Sequence, residues 1–238
     1  NRCEFFFLTK NYTLGKNMLK EITREKIYII NKRFFGKEFF SKDDKIIIDT
    51  LGAEKKLLNK LKKEKVSEVV SFDELNPSFY NKGVIINGIY FAKKKIINKN
   101  KNMEIYQGPE YILLNNSFVK KNKINLNNNI LISSGGADKK NFLSKIIKIL
   151  INLKDSNLNF FVIIGKGVKK KNNIFKFQNY KKIRLIKNLS NLKTYFDRCN
   201  ISIITGGTVM FESISSGKAT LVIKTYEHQK YAIKYFED

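Results

Sequence analysis

The stretch Ile201-Ser-Ile-Ile-Thr205-Gly206-Gly207-Thr208-Val-Met-Phe-Glu212-Ser-Ile-Ser-Ser-Gly217-Lys-Ala-Thr-Leu-Val-Ile223 decides the fold. Its β-branched run ends in a glycine pair, Met210, Phe211 and Ile214 then follow at helical spacing, and Gly217 closes the segment before a second apolar run. The pattern predicts strand, glycine turn, helix, strand. Glycines at such a turn let the backbone approach a ligand, and the first free N–H groups of the helix favour an anion. Gly206, Gly207 and Thr208 are therefore candidate phosphate-binding residues. Glu212, one helical turn further on, is placed to accept hydrogen bonds from a ribose. The alternative is a plain βαβ turn whose glycines relieve sterics and whose Glu212 faces water.

Working outward, Asn129-Ile-Leu-Ile-Ser-Ser134-Gly135-Gly136-Ala-Asp138 repeats the form, with Phe142, Ile146, Ile149, Leu150 and Leu153 on one helical face beyond it. Asp138 is a candidate cap for that helix. The two units are expected to face one crevice at the carboxyl ends of parallel strands, which makes Ser134, Gly135, Gly136 and Asp138 candidate cleft residues. Gly165-Lys-Gly167 lacks the third glycine of a dinucleotide fingerprint and carries little weight.

Taken from its start, the chain alternates strand and helix. Strands are expected at Glu4–Thr9, Ile27–Ile30, Lys45–Asp49, Glu68–Glu74 and Val84–Asn87, with helical spacing at Leu14, Met18, Leu19 and Ile22 and at Leu57, Leu58 and Leu61. This alternation implies a parallel sheet with helices on both faces. Asp49, Asp73, Glu74 and Asn87 fall at strand ends, as chemistry or as caps. Residues 91–105 read as basic and irregular, and residues 115–129 as polar and repetitive, so a domain boundary is expected near residue 125. Beyond it the pattern predicts strands at 129–134, 159–164, 183–187, 201–205 and 219–224, and helices at 139–153, 191–199, 208–216 and 228–237. Two doubly wound domains result, 1–125 and 126–238.

Composition bounds the function. With 238 residues, 42% of them hydrophobic, the chain is globular. Two cysteines, Cys3 and Cys199, suit a reducing cytoplasmic setting and provide no metal site. No run approaches a membrane span, and no signal peptide is visible. The net charge of +25 comes from lysines spread over nearly every segment and mixed with asparagine and isoleucine. That is a solvated surface more than a nucleic-acid face. His228 is the only histidine, and no residue nearby completes a nucleophilic triad with it.

On these residues the chain resembles the UDP-sugar hydrolases of the pseudaminic-acid pathway, with their relatives in spore-coat polysaccharide biosynthesis and the modules fused to acylneuraminate cytidylyltransferases. Phe6-Phe-Leu-Thr-Lys10, Ile46-Ile-Ile-Asp49, Val69-Val-Ser-Phe-Asp-Glu74 and Val84-Ile-Ile-Asn87 are similar to the family's strands. Gly108-Pro-Glu-Tyr111-Ile-Leu-Leu114 with Phe118 is similar to its G-x-x-Y-x-x-L-R-x-x-F segment, and Asn115 replaces the arginine. Ser133-Ser-Gly-Gly-Ala-Asp138 and Gly206-Gly-Thr-Val-Met-Phe-Glu212 are similar to its two glycine loops.

The resemblance implies two Rossmann-like, doubly wound domains of glycosyltransferase-B type, the first lacking its first strand and helix. UDP is then expected at Gly206, Gly207, Thr208, Glu212 and Gln229, with Asn87 and Tyr111 joining the candidate substrate cleft. It implies metal-independent release of UDP from an acetamido-trideoxy sugar nucleotide, without a cofactor, and association with enzymes of sialic-acid type. The family's catalytic histidine lies ahead of the Phe6 strand, so no residue of this sequence is assigned that role. A UDP-sugar glycosyltransferase and a non-catalytic nucleotide-sugar-binding module are the alternatives, since one scaffold hosts all three.

Overall fold

The computed structural model describes the chain except for residues 1–5, 11–16, 18, 22, 31, 37, 50–53, 74–81, 89–100, 119–126, 154–156, 188, 190 and 238. It falls into two compact units, Asn1–Tyr111 and Ile112–Asp238. The boundary expected near residue 125 lies outside the described residues, as do most positions of the helix expected through Leu14 and Ile22.

In the first unit, β1 (Phe6–Lys10), β2 (Lys26–Ile30), α1 (Lys32–Gly36), β3 (Lys45–Asp49), α2 (Lys55–Lys63), β4 (Glu68–Phe72), β5 (Gly83–Asn87) and β6 (Met103–Gln107) follow in order. All pairings are parallel, β1 with β2 and β3-β4-β5-β6 as a second sheet. The single sheet expected from the alternation is thus two among the described residues. β6 is a correction, because residues 91–105 read as irregular. Met103 is buried and Ile105 packs on the same core two residues on, a period-two signal too short to stand out beside the neighbouring lysines and asparagines. Phe34, Ile48, Leu58, Leu61, Val69, Ile85 and Met103 make that core. At its edge Glu64 accepts from the N–H groups of Phe39 and Phe40 and from Lys60. Burial raises the Glu64 pKa, but these hydrogen bonds outweigh it and hold the carboxyl below its ordinary value.

The second unit contains β7 (Asn129–Ser133), α3 (Phe142–Leu150), β8 (Asn159–Ile163), β9 (Ile183–Ile186), α4 (Lys193–Asp197), β10 (Ile201–Thr205), α5 (Thr208–Ser215), β11 (Ala219–Ile223) and α6 (Lys230–Tyr235). Each falls inside the span expected from sequence. Between β8 and β9 the chain makes a short 3-10 helix, Asn173–Phe177, which periodicity did not signal.

The five parallel strands lie in the order β9-β8-β7-β10-β11. Winding therefore reverses between β7 and β10, the position at which open α/β sheets bind ligands at their carboxyl ends. Strands covered on both faces read as continuous apolar runs, which explains Ile130-Leu-Ile132 and Phe160-Phe-Val-Ile163. One face packs Ile130, Ile132, Phe160, Val162 and Ile203 on Phe142, Leu143 and Ile147 of α3. From the other face Phe161 meets Tyr195 of α4 at a ring-centroid distance of 5.9 Å. Ile132, Leu143 and Ile147 are fully buried, and truncating any one to alanine is expected to cost about 2–5 kcal/mol.

Candidate functional site

The reversal between β7 and β10 opens a cleft of about 380 Å³ in the second unit. Its lining includes Ser134, Gly135, Gly136 and Asp138 from the turn after β7, Gly207, Thr208 and Glu212 around the start of α5, and Gln229 before α6. The two glycine turns, some seventy residues apart in sequence, thus share one cavity. Lys139, Lys140, Thr225 and Tyr226 line it as well.

Sterics separate the glycines into two kinds. A Cβ at Gly165 would stand 2.2 Å from the Gly135 carbonyl oxygen and 2.6 Å from that of Gly136. The Gly167 N–H donates to the Gly136 oxygen at 2.8 Å. The Gly165–Gly167 loop therefore buttresses the first glycine turn from behind. Gly206 is also a packing glycine, because its Cβ would meet Ile233 Cδ1 at 2.8 Å and Gln229 Cβ at 3.1 Å. It is not among the residues that line the cleft. Gly136 and Gly207 differ: nothing lies within 4 Å of where a Cβ would stand, and neither has the left-handed φ that demands glycine. Their bareness serves no contact within the described structure, and both border the cleft.

Donors gather at the start of α5. Met210 N–H bonds the Gly207 oxygen at 2.9 Å, while the N–H groups of Thr208 and Val209 have no partner among the described residues. α5 is tied down at its far end by a buried hydroxyl cluster. Ser213 Oγ lies 2.6 Å from Ser202 Oγ on β10 and 2.8 Å from Thr220 Oγ1 on β11, so its orientation toward the cleft is fixed by both strands.

Glu212 is the one carboxylate of the cleft without a protein partner among the described residues, and burial pushes its pKa above the ordinary value. Asp138 is occupied. Its carboxylate accepts from the N–H of Phe142 at 2.7 Å, the N–H of Leu143 at 3.3 Å and Asn172 Nδ2 at 3.2 Å, so it caps α3. Gln229 is buried, and its Oε1 accepts from Thr225 N–H, Thr225 Oγ1 and Tyr226 N–H at 2.8, 3.1 and 3.1 Å. Its Nε2 donors remain without a partner among the described residues. Lys140 donates to the Thr225 oxygen and lies 4.8 Å from the Tyr226 ring centre, joining the first glycine turn to the turn after β11.

Asn87, fully buried at the end of β5, and Tyr111, partly exposed and 5.4 Å from the Tyr106 ring, belong to the first unit. His228 stacks on Tyr226 at 5.6 Å and is exposed. Cys199 is buried, and its thiol is pushed up to about 12 by burial, with Lys218 and Arg198 opposing, so it is no nucleophile. Among the described residues no cluster of His, Cys, Asp or Glu could hold a metal ion, and no helix is long and apolar enough to cross a membrane. Lys140 and Tyr226 had no motif to announce them. Their one signal was position, just beyond the ends of β7 and β11.

No protein-family model matches the chain. It is 28% identical over 215 residues to the spore coat polysaccharide biosynthesis protein SpsG of Bacillus subtilis (strain 168), a match covering 86% of this chain and 63% of that one. It is 31% identical over 206 residues to the uncharacterized protein MJ1062 of Methanocaldococcus jannaschii, covering 79% of this chain and 42% of the relative. The chain thus spans less than two thirds of either relative. Among solved structures, the crystal structure of Acinetobacter baumannii MurG superposes with a TM-score of 0.56 at 14% identity, covering 99% of this chain and 76% of MurG. The chain therefore has the α/β, glycosyltransferase-B fold of MurG and is similar in sequence, along most of its length, to a protein of spore-coat polysaccharide biosynthesis.

Proposed function

We propose that the second unit binds the UDP part of a UDP-sugar, and that the protein releases UDP from an acetamido-trideoxy sugar nucleotide on the way to a nonulosonic acid of pseudaminic type. The observation that carries this reading is the pair of bare glycines, Gly136 and Gly207, facing one cavity with no steric or backbone need to be glycine. A cleft that keeps backbone uncovered on two walls suits a ligand that must approach main-chain N–H groups closely, as a diphosphate does.

The polarity of the cleft fits the same ligand. The free N–H groups of Thr208 and Val209, the positive end of the α5 dipole and the ammonium groups of Lys139 and Lys140 would hold the diphosphate. The same groups would stabilise the charge that develops as UDP departs, which lowers the barrier to cleaving the anomeric bond. Glu212, desolvated and unpaired, would recover hydrogen bonds from the ribose hydroxyls. Gln229, with Oε1 fixed and Nε2 free to donate, would present an amide to the same ligand. No residue of this chain is assigned the general base that would activate water, and no cofactor or metal is invoked. In this reading the protein is cytoplasmic, its two units are both Rossmann-like, and it works beside enzymes of sialic-acid type.

The similarity to a polysaccharide biosynthesis protein and the MurG fold support a second reading, UDP-sugar-dependent glycosyl transfer. Incubation with a UDP-acetamido sugar, with and without added carbohydrate acceptor, separates the two. UDP release without acceptor supports hydrolysis, and release only with acceptor supports transfer. Tight UDP binding with no release in either case reduces the proposal to a sugar-nucleotide-binding module.

A further inference from the structure

We infer that Ser134 is a ligand-binding residue whose hydroxyl donates to an anionic oxygen of the bound diphosphate, an inference that rests on the nucleoside-diphosphate reading above. Ser134 follows the last residue of β7, at the reversal of winding, and lines the cleft. Its neighbour Ser133 is satisfied, accepting the Gly135 N–H at 3.1 Å. The Ser134 Oγ is removed from solvent and has no partner among the described residues. Buried polar groups are almost always paired, and an orphan on the wall of a cavity marks a group whose partner arrives with the ligand. On this inference the hydroxyl turns into the cleft by a χ1 rotation between staggered wells when the ligand arrives.

The surroundings of Ser134 select the anionic part of the ligand. Its wall carries Gly135, Gly136, Lys139 and Lys140, and its one acid, Asp138, is spent on the α3 cap. The acceptor suited to ribose hydroxyls, Glu212, is carried by another element, α5. A hydroxyl on a wall that carries lysines and bare backbone is better matched to charged phosphate oxygens than one on the wall that carries Glu212.

The test is Ser134→Ala, measured by urea denaturation without ligand and by calorimetric titration with UDP, inorganic pyrophosphate and uridine. Removing an orphan hydroxyl leaves the denaturation midpoint unchanged or higher, while losing a hydrogen bond to a charged group weakens UDP and pyrophosphate about tenfold and leaves uridine unaffected. A lower midpoint with unchanged UDP affinity overturns the inference, since the hydroxyl is then structural. Equal weakening of uridine overturns the diphosphate assignment. If the folded wild-type protein binds neither UDP nor pyrophosphate, the nucleoside-diphosphate reading itself falls. Wild-type binding beside an unaffected variant removes Ser134 alone.

Discussion

Replacing Gly136 by alanine should separate binding from folding. The added methyl group would stand in open space, with no atom within 4 Å, on a backbone outside the left-handed region. Gly→Ala at such a site removes freedom from the unfolded chain, so the folded state should gain about 0.4–1 kcal/mol or stay level. The same methyl projects where a ligand would lie against the first glycine turn. Crowding a close contact by one methyl costs about 1–3 kcal/mol, a rise in the dissociation constant of about 5- to 150-fold. Urea denaturation of the ligand-free variant, read by circular dichroism, gives the stability term, and titration with UDP gives the affinity term. Undiminished UDP affinity in a folded Gly136→Ala protein would refute the reasoning, because the bare backbone would then be serving no occupant. A loss of stability above about 1 kcal/mol would refute its steric half.

The contrasting substitution is Gly165→Ala, whose Cβ would collide with two backbone oxygens; a loss of about 2–3 kcal/mol is expected, and an unchanged urea midpoint would deny the buttress. Burial raises the Glu212 pKa, so the native state disfavours the ionised form, and stability is lost as pH rises above the usual carboxylate range. Glu212→Gln should therefore stabilise the ligand-free protein at pH 7, a gain that fades as pH falls through the raised native pKa and is gone below the ordinary carboxylate value, while weakening UDP about tenfold. Melting curves across pH that show no such convergence would return Glu212 to a solvated role. Thr208→Val should weaken UDP more than UMP in parallel titrations; equal effects would move Thr208 away from the diphosphate.

Much of the second unit was legible because its strands are apolar runs, two of which stop at glycine pairs, and its helices carry their apolar residues at a single spacing. Ile201–Thr205 and Asn129–Ser133 announce both the sheet and the position of the cleft. The parts that were not legible depend on contacts between distant residues. Gly165 looks like half a motif until its Cβ is set against the carbonyl oxygens of a turn thirty residues earlier. Lys140 gains meaning only through its bond to the Thr225 carbonyl across the cleft. Gly206 and Gly207 are adjacent and equivalent in sequence, yet the packing of α6 makes one a contact and leaves the other bare. β6 was hidden because its buried residues, Met103 and Ile105, are two positions in a lysine- and asparagine-rich neighbourhood.

The central claim, that the cleft between the two glycine turns holds a uridine diphosphate, is tested most directly by calorimetric titration of UDP into the protein, with UMP, CMP and a short DNA duplex as controls at two salt concentrations. The account predicts saturable binding with UDP preferred over UMP and CMP, and that preference should persist at the higher salt. Absence of UDP binding by a chain shown to be folded, or salt-sensitive binding to the duplex alone, would contradict it.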